Sequence, residues 1–306
     1  MNTSKSVHAV RGLWCAMLTP LDSSGSVDHS LLARHAKSLL MRGVDGVAPF
    51  GTTGEGQSFS VAERLAGIDA LFAAGISGER LVAATGCAAL PETIVLTRHG
   101  VQAGCAACLV LPPFFWKGVS DDGLYAWYAQ LIEAVGDPRL RIYLYHIPQV
   151  SGTPLSVDLI ARLAAAFPGV IAGVKDSAGE WANTQALLTR VPQLAILAGH
   201  EPHLPRLIRA GGAGTICGVA NLFPALVRAL LSPNVTPADE ERVTTFIDIA
   251  FRQPFLAGFK AILAEQTHEP RWQSVRAPLL PLPADSRRTL LAALHDAGLL
   301  VPGPDQ

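Results

Sequence analysis

A (β/α)8 TIM barrel with a C-terminal helical extension is the fold class this sequence predicts, and three observations carry it. Eight short apolar runs recur between residues 13 and 218, each followed by a segment of helical period. The run at 170–174 is small or apolar at every position, the pattern of a strand buried on both faces. Beyond residue 235 the alternation stops, and the chain reads as helical segments broken by Pro254 and the proline-rich stretch 277–283.

The strand runs fall at 13–18, 46–50, 81–85, 107–111, 142–145, 170–174, 194–198 and 214–218. Helical patterns fill 30–41, 62–74, 91–103, 123–134, 154–166, 181–189, 202–210 and 223–231. Eight of each is the count that closes a barrel. The expected organisation is a barrel over 1–234 carrying the active site and an extension over 235–306 packed on it, the boundary falling within a few residues of 232–236.

Composition narrows the function classes. A chain of 306 residues, 49% hydrophobic and only 16% charged, can bury a large core and does not match a disordered protein. A net charge of −1 with no basic block argues against a nucleic-acid partner. Residues 1–10 lack the apolar centre of a signal peptide and no run is long enough to span a bilayer, so a cytoplasmic protein without membrane partners is expected. Five cysteines, an odd number, fit a reducing compartment, and the lone pair Cys105 and Cys108 reads as packing rather than zinc.

In a barrel of this kind the C-terminal ends of the strands share the face that carries chemistry. That face collects Thr19 and Pro20, the loop Gly51-Thr52-Thr53-Gly54-Glu55, Thr85 and Gly86, Pro112 to Phe115, Tyr145, Lys175, Gly199 to Glu201, and Gly218 with Asn221. Lys175 is the most telling of these. An ammonium group has no packing reason to end a buried strand, and desolvation favours the uncharged amine that serves as the nucleophile of Schiff-base lysines. The competing reading is a snorkelling lysine, or one paired with Asp176.

The loop after strand two is glycine-rich with two hydroxyls, a nest suited to a small carboxylate, the alternative being a glycine turn with a helix cap; no Gly-Lys-Ser/Thr follows, so it is not a phosphate loop. Glu55 is expected to brace this loop by hydrogen bonding. Tyr145 ends the strand neighbouring that of Lys175, about 5 Å away, close enough for its phenol to shuttle protons; the alternative is a tyrosine that merely caps the barrel. His200-Glu201-Pro202-His203 is not a metal-binding helix, and Glu201 is expected to touch the far end of a substrate. Gly211 to Gly214 precedes strand eight, on the opposite face, and reads as a tight turn.

With GTTGE (51–55), YHIP (145–148) and GVKDSAG (173–179) in this order, the chain resembles the dihydrodipicolinate synthase/N-acetylneuraminate lyase family of pyruvate-type class I aldolases. The resemblance runs from LWCAMLTP (13–20) to VRAPLLPL (275–282). It implies a homotetramer, no cofactor, and a lysine Schiff base to the carbonyl carbon of a 2-oxo acid such as pyruvate. Carried over residue by residue, it implies Lys175 as the Schiff-base lysine and Tyr145 as the acid/base tyrosine. Thr52 is then the hydrogen-bond partner of that tyrosine, Gly51, Thr52 and Thr53 form the carboxylate-binding loop, and Ile216 supplies a carbonyl on strand eight.

Two positions depart from the synthases. Their paired tyrosines after strand four are Phe114 and Phe115 here, which cannot pass protons. Their arginine after strand five, which holds a semialdehyde carboxylate, is replaced by Val150 within PQVSG (148–152), a wording closer to the neuraminate lyases. The valine forfeits a charge-assisted contact worth roughly 1.5–3 kcal/mol, enough to redirect specificity. The expected function is a metal-independent Schiff-base lyase that cleaves or condenses a 2-oxo acid with pyruvate as the keto component. The alternatives are a dehydratase of a 2-oxo-3-deoxy sugar acid using the same imine, synthase-like condensation, a silent 2-oxo acid binding barrel, and a metal-dependent aldolase.

Overall fold

Strands that bury both faces must be covered on the outside by helices and filled on the inside by side chains, and the chain does both. The computed structural model describes residues 10–300. In chain order the barrel elements are β1 Gly12–Ala16, α1 His29–Met41, β2 Gly46–Ala48, α2 Val61–Ala73, β3 Val82–Ala84, α3 Leu90–Ala103, β4 Ala107–Val110 and α4 Asp121–Val135. They continue with β5 Ile142–His146, the single turn α5 Pro148–Ser151, α6 Val157–Ala166, β6 Ile171–Asp176, α7 Trp181–Arg190, β7 Ala195–Ala198, α8 Leu204–Arg209, β8 Gly214–Cys217 and α9 Pro224–Leu230. Three further helices follow, α10 Pro237–Ala250, α11 Phe255–Thr267 and α12 Ala284–Asp296.

All strands are parallel, in the order β2-β1-β8-β7-β6-β5-β4-β3, and a bridge from Val47 to Leu81 joins the two ends into a closed barrel. Alternation along each strand sorts the side chains. Trp14, Ala16, Tyr143, Tyr145, Leu197 and Ile216 fill the inside, whereas Leu13, Cys15, Ile142, Leu144, Ile196 and Cys217 face the helices. Helix starts follow from local chemistry: Asp28, Ser60, Ser120 and Ser156 each cap the helix after them, Ser60 in a reciprocal box with Glu63.

Two expected helices begin at least two residues later than their apolar pattern. The segment 202–210 becomes a 3-10 turn, Glu201–His203, followed by α8, because prolines at 202 and 205 are tolerated only in a first turn. Residues 154–156 lead into α6 rather than belong to it, since Ser156 is its cap. Lys175 lies inside β6, which continues one residue beyond it.

Asn221, expected at the mouth, is a strut instead. Its carboxamide donates to the Ala16 and Gly218 carbonyls at 2.8 Å and accepts from the Leu18 N–H at 3.0 Å, tying β1 to β8. His35 Nε2 lies 3.0 Å from the same carboxamide oxygen, so that nitrogen carries the proton. Burial pushes the His35 imidazole down to about 4. The unfolded chain therefore takes up this proton near pH 6.5 and the folded chain only near 4, so stability falls as pH drops through that window. A lowering of this size corresponds to about 3 kcal/mol. His35→Gln, which keeps a donor for Asn221, is expected to flatten the difference in urea midpoint between pH 7 and pH 4.5; an unchanged difference would assign the acid sensitivity elsewhere.

The C-terminal helices meet the barrel through charge. Lys260 of α11, fully buried, pairs with Glu55 beyond β2 and donates to the Ser274 carbonyl at 2.7 Å. Glu55 also accepts from the Arg276 N–H at 2.8 Å, and the Arg276 side chain reaches Glu63 at 2.6 Å. Glu55 is thus the brace expected from its place in the loop, with its partners on the extension.

Candidate active site

Parity places the central lysine. Val174 faces the helices, so Lys175 faces inward, in register with Tyr145 on β5 and Leu197 on β7, both interior residues. Its Nζ sits 4.1 Å from the centroid of the Tyr145 ring. The side chain is buried and, among the described residues, no carboxylate lies within ion-pair distance of it. Asp176 is engaged elsewhere, accepting from Thr184 Oγ1 at 2.7 Å, Asn183 Nδ2 at 3.0 Å and the Ala178 N–H at 3.1 Å. The alternative reading of a Lys175–Asp176 pair is therefore not what forms.

The Tyr145 hydroxyl is 3.2 Å from Thr52 Oγ1, which links β5 to the loop after β2. That loop is held in a tight form: Phe50 and Glu55 both have positive φ, and a Cβ at Gly56 would lie 1.7 Å from the Phe50 carbonyl oxygen. Thr19 Oγ1 donates to the Gly54 carbonyl at 2.7 Å, fixing the loop from β1. Among the described residues the N–H groups of Thr52 and Thr53 donate to no protein acceptor. Two free amides on a rigid turn, next to a buried amine, can hold a carboxylate.

These groups open into a cavity of about 540 Å³. Of the residues singled out from sequence, Lys175, Tyr145, Thr52, Thr53, Ile216, Val150 and Glu201 all line it. Gly51 does not; its carbonyl accepts the Gly56 N–H at 3.0 Å and shapes the turn. Glu201 accepts from the Val219 N–H at 3.2 Å, and burial pushes its carboxyl pKa up. His200 also lines the cavity, and burial pushes its imidazole down. Thr85, Gly86 and Pro112 to Phe115, expected on this face, do not line the cavity, and Phe115 is 69% exposed.

Sequence reasoning missed Gln149, Ser177 and Cys217, and a wall made by Ile247, Phe251, Phe255 and Phe259 of the extension. Ser177 had a signal, two residues past Lys175 and so on the same side. The extension's residues had none, because helical period does not say where a helix docks. Among the described residues, no three His, Cys, Asp or Glu side chains are grouped to hold a metal ion. A larger groove of about 940 Å³ is lined by residues of α1, α9 and the extension and includes no strand end.

Residues 9–297 match the dihydrodipicolinate synthetase family. The chain belongs to that family. An uncharacterized DapA-like lyase of Chloroflexus aurantiacus is 36% identical over 289 residues, 92% of this chain and 95% of the relative. The crystal structure of dihydrodipicolinate synthase from Agrobacterium tumefaciens superposes with a TM-score of 0.89 at 37% identity, covering 94% of this chain and 99% of that one. The N-acetylneuraminate lyase of Proteus mirabilis shares the fold, with a TM-score of 0.83 at 24% identity over 96% of this chain and 100% of that one. Proteins similar to this chain are thus named both as synthases and as lyases.

Proposed function

We propose that this protein is a metal-independent, Schiff-base-forming lyase that cleaves or condenses a 2-oxo acid, with pyruvate as the keto component. The observation that carries the reading is the buried Lys175 side chain, with no carboxylate in ion-pair distance among the described residues, against Tyr145 and its Thr52 contact. The amine adds to the keto carbon of a 4-hydroxy-2-oxo acid; loss of water gives an iminium at C2, an electron sink for the C3–C4 bond. Retro-aldol cleavage sends that bond's electrons into the iminium, releases an aldehyde and leaves a pyruvate enamine. Tyr145, oriented by Thr52, moves the protons, and the Thr52 and Thr53 amides hold the carboxylate so that C2 faces the lysine. His146, next to Tyr145, takes no part: its Nδ1 accepts the Leu155 N–H at 3.1 Å and it does not line the cavity.

Product analysis over a panel of 2-oxo acids tests the reading. An aldehyde plus pyruvate, formed at a rate unaffected by a chelator, is the expected outcome; a dehydrated oxo acid instead identifies the dehydratase, and no product with any acid leaves only a binding barrel. Tyr145→Phe is expected to lower kcat by about 10²–10⁴-fold, and full turnover would remove it as the proton carrier. Val150 stands at the cavity without a charge for a second carboxylate, which argues against authentic dihydrodipicolinate synthesis. Val150→Arg is expected to raise condensation with a carboxylated semialdehyde by about tenfold or more, the lower end of a charge-assisted contact; no gain would place specificity elsewhere. The family likeness supports a cytoplasmic homotetramer, and the exposed pair Phe115 and Trp116, ring centroids 5.2 Å apart, is apolar surface of the kind a neighbouring subunit covers.

A further inference from the structure

The cavity beside Lys175 has a lining of mixed chemistry. Its lining includes polar Gln149, Ser177, His200 and Glu201 together with apolar Ile147 and Val150 near β5 and Ile247, Phe251, Phe255 and Phe259 of the extension. The aromatic part is continuous: the Phe251 and Phe255 rings are stacked, 5.2 Å apart and 16° from parallel, and Phe259 meets Phe255 edge-on at 4.6 Å. Among the described residues Lys175 is the one lysine or arginine lining the cavity, and the lowered imidazole of His200 supplies no fixed positive charge. A second carboxylate on the substrate would therefore enter a partly desolvated space with no cation to meet it, which is costly. A hydrophobic group would instead cover the phenylalanines, and a flat ring can stack on them.

We infer that the aldehyde component handled by this site carries an aromatic or similarly apolar group, seated against Phe251, Phe255 and Phe259, so that the aldol product is a 4-hydroxy-2-oxo acid with an apolar substituent at C4. The inference rests on the lyase reading above and specifies its second substrate. In the condensing direction, C3 of the pyruvate enamine gives its electron pair to the aldehyde carbon, and the carbonyl oxygen takes a proton to become the C4 hydroxyl. Water then adds to the iminium, restoring the C2 ketone and the Lys175 amine. No oxidant, reductant or cofactor enters this balance.

The test compares benzaldehyde, D-glyceraldehyde and succinic semialdehyde as partners for pyruvate, with product identified by mass and kcat/KM measured for each aldehyde. Benzaldehyde is expected to exceed both others by about tenfold or more, the scale of discrimination that an apolar pocket supplies. Phe251→Ser, at a position 55% exposed and so tolerant of change, and Phe255→Ser are each expected to reduce that preference severalfold. Either polar aldehyde matching benzaldehyde, or a preference that survives both substitutions, overturns the assignment of the aromatic wall. Borohydride trapping of pyruvate on the unaltered protein, run alongside, separates the two levels. Trapping without any benzaldehyde product overturns this inference alone; absence of trapping overturns the lyase reading with it.

Discussion

Lys175→Ala is expected to reduce kcat/KM by at least about 10⁴-fold while leaving the fold as stable as before or slightly more so. The size of the loss follows from removing the group that forms the covalent intermediate, since the remaining groups can only bind and orient. The stability expectation follows from what the lysine lacks. Its side chain is buried beside a cavity and, among the described residues, has neither a carboxylate within ion-pair distance nor a hydrogen-bond partner that its removal would strand. A structural lysine behaves in the opposite way, because its removal strands a partner. Steady-state kinetics and a thermal melt on the same preparation check both halves; an active variant, or an inactive one that has also lost several kcal/mol, would make Lys175 a packing residue.

The contrast is supplied by Lys260, the other buried lysine among the described residues. It pairs with Glu55 with both side chains shielded from solvent, so Lys260→Met leaves a buried carboxylate without its cation. Such a break costs about 3–5 kcal/mol, and at roughly 2–4 °C per kcal/mol for a larger domain the melting temperature should fall by about 10 °C. Because Glu55 sits in the loop that presents Thr52 and Thr53, activity should fall as well, through a raised KM for the 2-oxo acid. Pairing Lys260→Met with Glu55→Gln removes the stranded charge and is expected to restore a large part of the loss, measurable as a coupling energy in a double-mutant cycle. A loss below about 1 kcal/mol for Lys260→Met would mean that the pair behaves as an exposed one and that the extension is held mainly by apolar contacts.

These two lysines also show what could be read from sequence and what could not. Lys175 interrupts a run that is otherwise buried, and strand parity then directs it inward beside Tyr145, so both position and partner follow from local pattern. Thr52 and Thr53 were legible as a glycine-rich turn at a strand end. Lys260 lies in a helix whose pattern gives a buried face but no address, and its partner is far away in sequence. The same gap hid Ile247, Phe251, Phe255 and Phe259, which reach the cavity only because α10 and α11 dock over the barrel mouth. Asn221 and Thr85 show the converse: residues at strand ends that serve neighbouring backbone or side chains and never reach the cavity. A strand's end says which face of a barrel a residue is on, not whether the loops leave it open.

The central claim is that Lys175 captures a ketone as an imine, and reductive trapping measures it most directly. Protein incubated with pyruvate and borohydride, then digested and sequenced by mass spectrometry, is expected to carry a three-carbon carboxyethyl group on Lys175 and none in Lys175→Ala. Adduct on another lysine, or an unmodified Lys175 at saturating pyruvate, would contradict the account.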